Sequence, residues 1–140
     1  MLDLVRFLRY ALRFERAFRD DRWGPVEACF APDATYTIRG SGTRYDGETR
    51  GAHAIVQMFK YMLDEVDRKY DKRSPRPRGL PRLVGGELIA PWSARYTLGD
   101  RSTILTGESR CRFANGKIAV LTDTMSGDEV RDWMRLVGAS

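Results

Sequence analysis

At 140 residues, 42% hydrophobic and 31% charged, the chain has the composition of one ordinary globular domain, which excludes wholesale disorder, collagen-like repeats and low complexity. Two cysteines (Cys29 and Cys111) exclude a disulfide scaffold, a single histidine (His53) argues against a His-based zinc or iron site, and no apolar run approaches transmembrane length. The formal charge of +5 is uneven: residues 68–82 carry +6 and the remainder sums to about −1.

Residues 4–20 predict a first helix. Phe7, Ala11, Phe14 and Phe18 repeat along one face, and Arg6, Arg9, Arg13 and Arg16 along another. An inward apolar stripe and a solvated arginine face explain this pattern, and no membrane partner is expected. Trp23-Gly24-Pro25 breaks the helix, and Pro25 suits the first turn of a short second helix through Phe30. Ala31-Pro32-Asp33 reads as a turn, and Ala34–Ile38, rich in β-formers, as a strand. Gly40-Ser41-Gly42 ends it and lacks the Lys-Ser/Thr of a phosphate loop. A short extended piece covers residues 44–49. A long helix is predicted over 52–69, with Ala52, Ile55, Val56, Phe59, Met62, Leu63 and Val66 at helical spacing.

Residues 68–82 then hold seven basic residues, one acid (Asp71) and three prolines without helical period, so a basic Pro-rich loop is expected at about 70–82. Only Tyr70 interleaves the charges and no nucleic-acid motif is present, which argues against nucleic acid as partner. Beyond Leu83-Val84 and a Gly85-Gly86 turn the period becomes two. One strand is predicted over 88–98, with Trp92, Ala94, Tyr96 and Leu98 assigned inward. A second covers 102–114. Asn115-Gly116 is a hairpin signal, and the last strand covers 117–125. Ser126-Gly127-Asp128-Glu129 has capping-box spacing and opens a final helix with Val130, Trp133, Met134 and Val137 on one face. The order α-α-β-β-α-β-β-β-α predicts an α+β fold, a single domain over 1–140, whose mostly antiparallel sheet curls around helices.

On the 102–114 strand, Thr106, Glu108, Arg110 and Arg112 alternate with Leu105, Gly107, Ser109, Cys111 and Phe113. The second set belongs inside, and its small members leave room for a cavity or for helix side chains. Asp123 stands in LTDTM without a neighbouring Lys or Arg. Facing inward, it would have a raised pKa suited to acid/base work; facing outward, it is an ordinary strand-end residue. Period alone leaves both open. Cys29 and Cys111 lack a basic neighbour and read as free thiols.

Phe30-Ala31-Pro32-Asp33-Ala34-Thr35, then Gly51-Ala52-His53-Ala54-Ile55 opening a long helix, then Phe113-Ala114-Asn115-Gly116-Lys117-Ile118 in a late hairpin, together resemble the nuclear-transport-factor-2-like superfamily, and most of all its SnoaL-like polyketide cyclase and isomerase branch. The resemblance implies a cone: a curved sheet wrapped around a long helix (a cystatin-like α+β barrel) with an apolar pocket, often dimeric through the outer sheet face. It also implies an acid/base residue seven positions after the hairpin glycine, which is Asp123. Among enzymes similar to limonene-epoxide hydrolases, Tyr36 matches a water-holding tyrosine. Ile38 replaces the asparagine, and Arg95-Tyr96-Thr97 lacks the second acid. Phe14, Ile38 and Ser109 depart from the steroid-isomerase-like pattern, and one histidine cannot supply the pair of scytalone-dehydratase-like members.

The expected function is therefore a small-molecule enzyme of the cyclase, isomerase or hydrolase type, with Asp123 and Tyr36 catalytic. Phe14, Met58, Trp92, Tyr96, Ser109 and Trp133 would contact an apolar substrate, and no metal or organic cofactor is expected. The alternative is a non-catalytic ligand-binding or dimeric interaction module of the same fold. The charged N-terminus is unlike a secretory signal, and with reduced cysteines it suggests a cytoplasmic protein.

Overall fold

The computed structural model describes residues 2–139. Helix α1 (Leu2–Asp20) is followed by α2 (Gly24–Glu27), strands β1 (Phe30–Arg39) and β2 (Gly47–Arg50), and helix α3 (Ala52–Glu65). A 3-10 turn (Asp67–Lys69) leads to β3 (Lys72–Pro77), β4 (Arg82–Val84), β5 (Glu87–Leu98), β6 (Arg101–Ala114), β7 (Lys117–Met125) and helix α4 (Gly127–Leu136).

The seven strands form one curved, open sheet in the order β2-β1-β7-β6-β5-β3, with β4 also paired to β5. All pairs are antiparallel except β1 with β7. The sheet thus curls as expected but does not close into a barrel, because β2 and β3 remain edges. Asn115 (φ 52°) and Gly116 (φ 79°) both adopt the left-handed conformation that a tight β6–β7 hairpin demands.

The expected basic loop is corrected. Lys72–Pro77 is a strand paired with β5 from Lys72 opposite Thr97 to Pro77 opposite Trp92. Pro75 and Pro77 are tolerated because β3 is an edge: two residues apart, both turn their missing N–H away from β5. The long helix also stops earlier, at Glu65, and Ala31-Pro32-Asp33 is absorbed into β1 at a register shift against β7 between Phe30 and Thr35.

The core is aromatic and centred on Phe59 of α3. Its ring lies 5.0 Å from Tyr36, 5.3 Å from Phe14, 6.0 Å from Phe30, 6.4 Å from Trp23 and 6.5 Å from Tyr10. One helix side chain therefore ties α1, the α2 entry and β1 together. Among the described residues, no helix is long and apolar enough to cross a membrane.

Candidate active site

Alternation along three strands delivers the polar residues to the concave face. On β6, Leu105, Ser109 and Cys111 are buried while Arg110 and Arg112 are exposed. Asp123 of β7 sits in register with Ser109 of β6 on one side and Ile38 of β1 on the other. The Tyr36 hydroxyl donates to Asp123 Oδ2 at 2.7 Å, and the Ser109 hydroxyl donates to Asp123 Oδ1 at 2.6 Å. Trp92 Nε1 in turn donates to Ser109 Oγ at 3.1 Å. Two hydroxyl donors from two strands thus converge on one carboxyl, and a third donor, from β5, backs one of them.

Asp123 is half-buried, Tyr36 buried at 3% exposure and Ser109 at 8%. Burial pushes the Asp123 carboxyl above the ordinary carboxylate range, and the bonds from Ser109 and Tyr36 pull against that without cancelling it. Tyr36 is raised well above the ordinary phenol value, first by burial and then by the adjacent Asp123 charge. Each carboxylate oxygen accepts one hydrogen bond here, which leaves each a further lone pair for a proton.

The remaining expected site residues divide. Phe14 and Met58 are half-buried against the aromatic core. Trp92 is also half-buried, and its ring lies so close to Gly107 that a Cβ there would fall 2.3 Å from it. The room that small residues leave on β6 is thus taken at 107 by a neighbouring indole. Tyr96 and Trp133, expected beside Asp123, belong to a second cluster. The Tyr96 hydroxyl donates to Asp67 Oδ2 at 2.8 Å, and its ring lies 5.6 Å from Trp133. Trp133 Nε1 is buried without a hydrogen-bond partner.

That second cluster is a buried ion network. Arg73 of β3 turns inward, donates to Asp67 Oδ2 at 3.2 Å, pairs with Glu15 of α1, and lies over the rings of Phe14 and Phe18. Burial raises the Asp67 carboxyl, opposed by the Arg73 charge and by the Tyr96 and Arg73 hydrogen bonds. Asp67, Arg73 and Tyr10 are among the inward polar residues that the sequence did not reveal. Tyr10 had a signal, since it falls between Phe7 and Phe14 at helical spacing. Asp67 and Arg73 sit in a stretch that reads as solvated charge.

Similarity in structure extends over nearly the whole chain. The chain matches an NTF2-like protein of unknown function from Burkholderia pseudomallei K96243 at 20% identity, covering 99% of each chain with a TM-score of 0.73. The chain has the NTF2-like fold. It is also similar to TerC co-crystallised with polyporic acid (15% identity, 95% and 98% coverage, TM-score 0.71) and to an LEH-like epoxide hydrolase of M. tuberculosis (14%, 94% and 91%, TM-score 0.63). No protein-family model and no curated protein matches the sequence. In this NTF2-like cone, Asp123 with Tyr36, Ser109 and Trp92 forms one polar pole, and Asp67 with Arg73, Tyr96 and Glu15 the other. Among the described residues no group of three or more His, Cys, Asp or Glu could hold a metal. His53 lies exposed at the start of α3, where Nδ1 is 3.0 Å from Glu27.

Proposed function

We propose that the chain is a SnoaL-like, cofactor-independent enzyme that moves a proton on an apolar small molecule, with Asp123 as the general base and then acid. The observation that carries this reading is the half-buried Asp123 carboxyl held by hydroxyl donors at 2.6 and 2.7 Å. Tyr36 and Ser109 orient it, and its remaining lone pairs accept a proton from carbon beside a substrate carbonyl. The same carboxylic acid returns the proton elsewhere on the substrate, which is an isomerisation, or to the oxygen of a newly closed ring, which is a cyclisation. Trp92, half-buried and bonded to Ser109, sets an apolar ring beside this carboxyl's partner, and the half-buried Phe14 and Met58 are offered as further apolar contacts for the substrate.

Isomerisation or cyclisation is favoured over epoxide hydrolysis by two placements. Ile38, apolar, is the β1 residue in register with Asp123 and offers no amide to hold a water. The other buried acid, Asp67, is engaged by Arg73 and Tyr96 and is not free to protonate an epoxide. The test is base-catalysed exchange of α-protons in deuterated water, read by NMR over a panel of cyclic ketones. Exchange by the wild type and its loss, by a factor of about 10² or more, in Asp123→Asn are expected. Equal exchange by the two proteins would refute the reading. Ligand binding without exchange or turnover would instead make the cone a binding module, in which Asp123 hydrogen-bonds the ligand.

A further inference from the structure

We propose that the outer face of α1 docks the protein on an anionic lipid surface. The inner face of this helix turns Phe7, Tyr10, Phe14, Ala17 and Phe18 toward the core. The opposite face is not the plain arginine face that its sequence suggests. Leu2, Val5, Leu8 and Leu12 stand there at 67%, 47%, 50% and 70% exposure. At about 100° per residue they share an arc of roughly 140° with Arg9, Arg13, Arg16 and Arg19. Val5, Leu8, Leu12 and three of those arginines line one open groove along the helix.

Most of the acids of α1 are placed so as not to neutralise this face. Asp3 pairs with Arg6 at 2.9 Å, and Glu15 is drawn into the interior by Arg73. Asp20, the last residue of the helix, is the one acid of α1 that lies within the arc. Among the described residues Arg9, Arg16 and Arg19 make no ion pair, while the guanidinium of Arg13 caps the Pro25 carbonyl. The result is a face on which exposed aliphatic side chains alternate with guanidinium groups that no acid among the described residues pairs.

Such a face suits a bilayer interface. The aliphatic side chains enter the acyl boundary while the arginines among them extend their long stems to the headgroup level and bond lipid phosphates, often bidentately. Charge argues against a second copy as the occupant, because two-fold pairing of α1 would set arginine rows against each other. It argues against nucleic acid too, which would satisfy the arginines and leave four aliphatic side chains in water. The helix lies flat on the surface: it is too charged to cross.

The test is co-sedimentation of the full chain with vesicles of phosphatidylcholine alone or mixed with phosphatidylserine. Binding to the mixed vesicles is expected, weakened tenfold or more by omitting phosphatidylserine or by raising salt. Arg9→Gln/Arg16→Gln should weaken it about 25-fold, at roughly fivefold per arginine. Leu8→Gln/Leu12→Gln should weaken it about tenfold or more. All four positions are on the outer face, so melting temperatures should hold, and circular dichroism checks this. No binding to either vesicle would overturn the proposal, as would binding that survives both double variants. So would binding lost instead in Arg76→Gln/Arg78→Gln/Arg82→Gln, or a dimer in sedimentation equilibrium that Leu8→Gln/Leu12→Gln dissociates.

Discussion

Tyr36 and Asp123, 87 residues apart, meet through a 2.7 Å hydrogen bond across the one parallel strand pair of the sheet. The bond exists because β7 returns beside β1 and sets Asp123 beside Ile38, two residues beyond Tyr36. It stabilises the ionised carboxylate against the burial that disfavours it.

This balance has a pH signature. Because burial raises Asp123, the folded chain holds that proton more tightly than the unfolded chain does. The associated stability is fully present below the unfolded carboxylate pKa and is lost as pH rises through the folded pKa. Asp123→Asn, which never ionises, should therefore melt above the wild type at neutral pH. The gap should close below about pH 4. Thermal melts across that range decide it.

The pH dependence of activity follows the same group. A base must be ionised, so exchange or turnover should rise with pH through a limb above the ordinary carboxylate range. Tyr36→Phe removes a donor that favours the ionised form, and should move that limb further up. It should also cost about 1–3 kcal/mol of stability, since it leaves a partly buried carboxylate oxygen without its partner. A pH–rate profile and a denaturant melt read the two effects separately.

Gly107 is needed for space rather than for backbone freedom. A Cβ there would lie 2.3–2.8 Å from three atoms of the Trp92 ring. Gly107→Ala should force the indole away, break the Trp92–Ser109 bond and cost about 1–3 kcal/mol. Tryptophan fluorescence should shift with it.

Arg73 holds the interior carboxylates Asp67 and Glu15. Arg73→Met leaves both without their cation and should destabilise by about 3–5 kcal/mol, whereas Arg76→Met, on the exposed side of the same strand, should stay within about 0.5 kcal/mol. Denaturant midpoints of the two variants test the difference.

The start of α4 departs from its sequence signature. Ser126 is the N-cap residue but makes no side-chain cap bond. Glu129 reaches instead to β6, where it accepts from Thr106 N at 2.8 Å and from Thr106 Oγ1 at 2.6 Å. Ser126→Ala should therefore be nearly neutral, and Glu129→Ala should cost about 1–2 kcal/mol. Matched urea melts distinguish this from a capping box, for which both would cost alike.

Much of the fold was legible because it rests on local periods. The stripe of α3 from Ala52 to Leu63, the Asn115-Gly116 hairpin and the two-residue alternation of β5 and β6 are properties of neighbouring residues. They survive folding because tertiary packing agrees with them. Lys72–Pro77 was not legible as a strand: its charges and prolines match a loop, and only pairing with β5 makes it an edge.

The candidate site divides in the same way. Asp123 could be singled out as an unbalanced carboxylate in an apolar strand, and its spacing from Gly116 pointed to acid/base work through family resemblance. Alternation could assign the faces of β5 and β6. What each inward group touches was decided only by the tertiary structure, because hydrogen bonds between strands depend on register and sheet order. Register gave Ser109 to Asp123, and β3 brought Arg73 to Asp67 and Tyr96. Local sequence sets which faces are apolar; which polar groups meet between them is set by long-range pairing.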